Sequence, residues 1–473
     1  MLANHVSPYS GSWYPENAVE LERLLDERFT QSCGRTGPYL LPDALGFVTP
    51  HAGPAYSGTV AAAVYRTLQQ LQPETIVVLG FPHHGGLGGV AIPDVDSIST
   101  PLGDVRIDPA IDVRFTRFRR VSEAQVCDHS FEIQLPFLQK AAPRARLLPL
   151  YVGHMETEER RAVASTLADA WQPGMVFLAS SDFTHYGRSF GYTPFPADSA
   201  VAGRLRSLDF ECIDAAGSLD ASLFLETLRE HGATVCGRDP IALLLEVLRT
   251  LGNDRVYQSV LDYQTSGEIE NNFHHSVSYA ALAYSRREAF ELNLDDREAL
   301  LDIAAETLRR LRQSGNRDVA PAPAASPALE ARRGMFVSLH HGAELLGCIG
   351  NCSHREPLAV EAGELVLAAA LEDTRFRPAA DLPGPIDIEI SVLTPFRRVR
   401  GPEQFSLGRH GAALKQGTHM GLLLPQVAGE HGWTTEKFLD ALAHKIHLPS
   451  RAWRDPKARL SVFEAQVFSR PGL

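Results

Sequence analysis

The chain has 473 residues, 44 % hydrophobic and 22 % charged, a globular composition long enough for two cores that argues against extended disorder. Its formal charge of −12, from 57 acids against 45 Lys and Arg with no long basic run, argues against a nucleic-acid surface. Six cysteines, of which only Cys348 and Cys352 are close, do not make a disulfide scaffold or complete a structural zinc site.

The first residues lack a basic stretch followed by an apolar one, so no secretory signal is expected there. No apolar run approaches the roughly 20 residues of a membrane helix. The expectation is a soluble, cytoplasmic protein without membrane contact. Short apolar runs at 44–49, 75–80, 146–152 and 175–180 end near Gly, Pro or Ser and read as buried strands. Helical patterns at 58–70, 131–140 and 157–171 alternate with them, and 279–284 reads as a last strand. The fold class is therefore α/β, with an N-terminal, mostly parallel sheet covered by helices. A helix follows at 299–312, then a Pro/Ala stretch at 319–327. Beyond it, strands at 335–340, 344–349 and 386–393 with helices at 361–371 and 435–444 predict a second, α+β domain.

Three polar loops directly follow predicted strands: His51 after the first, His83 and His84 after the second, and Asp182 with His185 after the fourth. The carboxyl ends of strands in an open α/β sheet converge on its ligand crevice, so these loops can meet in space. A single histidine after a strand is more often a hydrogen-bonded loop residue; three in the same position make a site an equal alternative, and the spacing decides no further. Imidazole serves as a metal ligand or as an acid–base group. Cys236 precedes an apolar helix, where the dipole is expected to lower the thiol pKa and favour a metal-ligating thiolate. Taken alone, it reads more readily as a buried small hydrophobe. His129 and Glu132 open another helix on one face, either around a metal site or as an ordinary helix start capped by Asp128 or Ser130.

Together these segments resemble the Memo family, AmmeMemoRadiSam system protein B. The resemblance runs through Gly11-Ser12-Trp13-Tyr14-Pro15, Pro50-His51-Ala52-Gly53, His83-His84, His129 to Pro136 (HSFEIQLP), Ser180 to Gly187 (SSDFTHYG) and Cys236 to Ile241 (CGRDPI). It implies a fold similar to class III extradiol dioxygenases, non-haem iron enzymes. By motif, the metal ligands would be His51, His83 and Cys236, with Asp182 and His185 beside the open coordination position as catalytic groups. His129, Glu132 and His84 would surround the ligands. The chain departs from the family at Pro54, where an aromatic residue is usual, and at Phe81-Pro82, where Pro-Ser is usual.

The later part resembles the AMMECR domain, AmmeMemoRadiSam system protein A. The motifs are Arg333-Gly334-Met335-Phe336-Val337, Leu346-Gly347-Cys348-Ile349-Gly350, Ala370 to Phe376 (ALEDTRF) and Ile388 to Pro395 (IEISVLTP). Leu346 stands where that family usually has Arg. Because the family includes a helix before RG-x-FV, the domains are expected at 1–287 and 288–473, with the Pro/Ala stretch an internal loop.

Both resemblances imply a radical SAM protein as partner and an unknown small-molecule or peptide substrate. Three functions remain open. The first is an iron(II) redox enzyme, with His185 as acid or base and Asp182 orienting it; copper or zinc would be the other metals. The second is a zinc hydrolase. The third is a non-catalytic module for metal handling or partner recruitment, since a thiolate ligand suits storage or sensing. A nucleophilic Cys236 carries less weight, because a nucleophile needs one base and the sequence supplies a cluster.

Overall fold

The computed structural model describes residues 4–39, 41–109, 118–321, 326–352 and 356–472, and it divides into two compact units, Met1–Ala289 and Phe290–Leu473. The first is built on a nine-stranded mixed sheet. Its strands are β1 (Ala44–Thr49), β2 (Thr75–Gly80), β3 (Val90–Pro93), β4 (Arg119–Val121), β5 (Arg146–Val152), β6 (Met175–Ser180), β7 (His185–Gly187), β8 (Val256–Thr265) and β9 (His275–Arg286). The order is β7-β9-β1-β6-β2-β5-β3-β4, with β8 also on β9.

The four strands expected from apolar runs form the centre, β1-β6-β2-β5, and all three of its pairings are parallel. Every residue of β1, β2 and β6 is buried, as strands covered on both faces require. Both flanks turn antiparallel: β9 pairs with β1, and β3 with β5.

The crossovers explain the covering helices. The chain leaves β1 through α1 (Gly58–Leu71) and reaches β2 two positions away; it returns from β5 through α2 (Thr157–Asp169) to β6 between them. Right-handed connections running in opposite directions place their helices on opposite faces. A third helix, α3 (Arg238–Gly252), carries an unbroken buried run from Pro240 to Leu248 and packs with α2. The pattern expected at 131–140 as one helix is two, His129–Glu132 and Gln134–Ala141. Pro136 falls in the first turn of the second, where its missing N–H leaves no bond unmade.

The second unit holds two antiparallel four-stranded sheets. One has the order Glu344–Asn351, Met335–His341, Asp387–Leu393, Ala465–Arg470; the other runs Arg397–Val399, Arg459–Phe463, Gly411–Gln416, His419–Leu423. Helices Leu294–Ser314 and Leu358–Leu371 pack together, and Gly347 lets the latter approach its strand: a Cβ there would lie 2.2 Å from the Ala369 carbonyl oxygen. Leu346 is buried. The Pro/Ala stretch starts against the first helix, with the Ala320 N–H donating to Thr307 Oγ1 at 2.9 Å; residues 322–325 of it lie outside the described residues. No helix among the described residues is long and apolar enough to cross a membrane.

Candidate metal centre

Because β6 lies between β1 and β2, three polar loops leave the sheet side by side. Thr49 pairs with Ser180, and Leu79 with Ala179, so the chain end leading to Asp182 lies one strand spacing, ~4.8 Å, from each of those leading to His51 and His83.

His51 is buried, at 2 % exposure. Its backbone N–H donates to Asp182 Oδ1 at 2.8 Å, and its ring Nδ1 lies 2.9 Å from Ser180 Oγ. Ser180 Oγ also accepts from Gln134 Nε2 at 2.9 Å, and Gln134 Oε1 accepts from the Tyr65 hydroxyl. This buried chain fixes the imidazole. A proton on Nδ1 satisfies the Ser180 contact and leaves the Nε2 lone pair free.

Asp128 holds His83 in the same way. Its Oδ1 is 2.7 Å from His83 Nδ1, and its Oδ2 accepts the His83 backbone N–H at 3.0 Å. The same carboxylate caps the helix His129–Glu132 by accepting from Ser130 N at 2.8 Å, and it lies 3.3 Å from His129 Nδ1. Burial pushes the Asp128 carboxyl up, but the His83 hydrogen bond and the His129 and His83 charges outweigh it and lower it. His129 stacks on His83, with ring centroids 3.8 Å apart and planes at 19°. Trp13 also packs on His129, at 4.5 Å between centroids.

One donor atom from each of His51, His83 and His129 lies within 4.8 Å of the others. Burial lowers the His51 pKa well below the usual imidazole range, helped by the neighbouring histidines, and lowers that of His129 to about 4. Both rings are therefore neutral at neutral pH, the form that ligates. Each of the three has one nitrogen beside an oxygen and the other to offer. This donor set fits a metal ion of the zinc, copper or iron class.

Cys236 joins the cluster at one point: its Sγ is 3.2 Å from His51 Nε2. The sulfur accepts the Asp182 backbone N–H at 3.2 Å. Gly237 makes this approach possible, since a Cβ there would lie 2.4 Å from the Ser180 carbonyl oxygen and 2.5 Å from Ser181 Cβ. The expected lowering of the thiol pKa is reversed. Burial, and after it the Asp182 carboxylate, raise it more than the N–H contacts lower it. A bound cation would be needed to hold the thiolate.

Asp182 is buried and its pKa is raised by that burial. Its carboxylate accepts from the His51 and Ala52 N–H groups, at 2.8 and 3.4 Å, and so pins the loop that carries the first imidazole. His185 Nδ1 lies 2.9 Å from the Phe183 and 3.0 Å from the Thr234 carbonyl oxygen. Two acceptors there require the proton on Nδ1, leaving Nε2 as the basic atom.

Two expected neighbours face elsewhere. His84 Nε2 meets the Gln125 carbonyl at 2.9 Å, and Glu132 meets His5 Nε2 at 3.0 Å. The holding roles of Asp128, Ser180 and Gln134, and the place of His129 among the donors, were not read from sequence; an Asp cap beside a histidine was the available signal. Of the departures noted above, Phe81 packs on both imidazoles, with centroids 4.2 Å from His83 and 5.6 Å from His51. Pro54 is buried, and its carbonyl accepts from Gly58 at the start of α1 at 3.2 Å.

The family model described as Memo-like protein matches residues 7–283, more than half of the chain. The chain belongs to the Memo-like protein family. Every donor of the three-histidine cluster, and Cys236, lies within that Memo-like match. A second model, AMMECR1, matches residues 301–468, so the Memo-like unit is followed by an AMMECR1 domain. The chain is 30 % identical over 288 residues to the protein memo-1 homolog of Caenorhabditis elegans, covering 58 % of this chain and 80 % of that one. It is 31 % identical over 294 residues to a MEMO1 family protein of Methanopyrus kandleri, covering 59 % and 97 %. Among solved structures, an uncharacterized protein from Pyrococcus horikoshii is 30 % identical with a TM-score of 0.34, covering 36 % of this chain and 89 % of that one.

Proposed function

We propose that this Memo-like chain is a metal-dependent redox enzyme that holds iron(II) on His51, His83 and Cys236 and works with a radical SAM protein on a small-molecule or peptide substrate. The observation that carries the reading is the convergence of three imidazoles within 4.8 Å, with the Cys236 sulfur 3.2 Å from one of them. When bound there, iron with open positions would supply one-electron and oxygen chemistry.

The chain's own groups divide the remaining work. His185 offers Nε2 as the base, because two carbonyls keep the proton on Nδ1. Asp182 places the loop of His51 through two backbone N–H bonds. Asp128 and the Ser180–Gln134–Tyr65 chain orient the rings. The radical SAM partnership is supported by the two units resembling two proteins of one system; a tether raises the effective concentration of one at the other.

Metal content, with a spectrum taken anaerobically and then in air, tests the reading. Iron with an oxygen-dependent spectral change is expected, and its loss in the combined His51→Ala, His83→Ala and Cys236→Ala variant. Zinc alone, without oxygen dependence, would replace this reading with a hydrolase. Undiminished binding of the radical SAM partner by metal-free protein, with no turnover, would replace it with a recruiting module.

A further inference from the structure

We propose a second cation site, on His5, Cys127 and Glu132, that takes a divalent ion of the zinc class. One donor from each of these residues lies within 4.8 Å of the others. The set shares no residue with the three-histidine cluster, and His5 precedes the residues matched by the family model.

Two observations point to a ligand. Glu132 is completely buried, and while its Oε1 meets His5 Nε2 at 3.0 Å, its Oε2 is buried with no hydrogen-bond partner among the described residues. An unpartnered buried carboxylate oxygen is costly, and coordination to a cation would satisfy it. Next, His5 Nδ1 lies 3.0 Å from Glu123 Oε2. A carboxylate on one imidazole nitrogen is the support a metal-bound histidine commonly has, leaving Nε2 to the ion.

One imidazole, one thiolate and one carboxylate form a mixed donor set suited to zinc. Bond lengths of 2.0–2.3 Å in a tetrahedron place ligand atoms about 3.3–3.8 Å apart, so small side-chain movements close the site. His5 keeps 15 % exposure, which gives an ion a path from solvent. Binding would displace the protons of the Cys127 thiol and of His5 Nε2 to solvent.

Cobalt(II), added anaerobically to the metal-free full-length chain, is the probe, because thiolate ligation gives a sulfur-to-cobalt charge-transfer band. Of the two clusters' cysteines, the Cys236→Ala variant leaves Cys127 as the one that can report. The band is expected to persist in Cys236→Ala and to vanish when Cys127→Ser is added. In the otherwise unaltered chain, Cys127→Ser should lower zinc stoichiometry by one equivalent. Glu132→Gln, similar in shape, should weaken cobalt binding in the Cys236→Ala background at least tenfold. Absence of the band in Cys236→Ala, or its persistence after Cys127→Ser, overturns the site. If the double variant does not fold, unchanged zinc stoichiometry in Cys127→Ser or unchanged cobalt affinity in Glu132→Gln overturns it as well.

Discussion

The Cys236 sulfur lies 3.2 Å from Nε2 of His51 although 185 residues separate them in the chain. Its position depends on the 180–182 turn at the end of β6, which bonds to His51 on one side and receives Cys236 and Gly237 on the other. Substitutions in this turn or its supports should therefore change metal binding without touching a donor atom.

Ser180→Ala should free the His51 ring and leave the buried Gln134 amide with only the Pro50 carbonyl as acceptor. Losing one such support is expected to weaken metal binding by about 10–100-fold. Competition against a coloured chelator measures it, and circular dichroism should remain unchanged.

Gly237→Ala should act through space. The new methyl would sit 2.4 Å from the Ser180 carbonyl oxygen, so the 236–237 segment must retreat. The expected cost is about 1–3 kcal/mol, seen as a lower melting temperature. Loss of a cobalt–thiolate band in a Cys127→Ser background would report that the Cys236 sulfur has moved away.

Phe81→Ala should unpack one wall of the centre, because the ring rests on His83 and His51. Bound metal should leave to a chelator faster, while the ligand set stays complete. Since Phe81 is only partly buried, the stability loss should fall below the roughly 3–5 kcal/mol of a fully buried phenylalanine. An unchanged release rate would remove Phe81 from the wall.

In the second unit, the Arg375 guanidinium is bidentate to Asp373, whose carboxylate also accepts the Cys348 N–H at 2.8 Å. The Arg375 hydrogen bonds hold the Asp373 carboxyl down to about 2. A folded value below the ordinary 3.8 stabilises the fold fully above that ordinary value and loses its effect as pH falls through about 2. Hydrogen exchange in the Glu344–Asn351 strand should therefore be slower in the natural chain than in Asp373→Asn at pH 6. The two should converge as pH drops below 4, after correction for intrinsic exchange. A gap independent of pH would mean that ionisation of Asp373 contributes nothing.

The central strands are legible in sequence because their apolar runs are uninterrupted: β1, β2, β5 and β6 occupy the residues where those runs lie. The antiparallel flank is less so. Buried serines at 276, 278 and 285 interrupt the pattern of β9, so its expected extent of 279–284 falls short of His275–Arg286. Three-residue strands such as β4 and β7 carry no periodicity to read. The rule that strand ends converge located His51, His83 and Asp182. It passed over His129, which reaches the cluster from a four-residue helix, and it gave no reason to see Asp128 as more than a cap. The Cys236 pKa went the other way because a helix dipole visible in sequence competes with burial that is not.

The sheet order also bears on biosynthesis. A ribosome that has released the first 150 residues has produced β1 and β2, with all three histidines of the cluster, but not β6, which separates those strands. Until it arrives, two inward edges lack partners, the kind of surface that invites aggregation. A polypeptide stopped before residue 175 is therefore expected to require chaperone protection, not to act as a smaller metalloprotein.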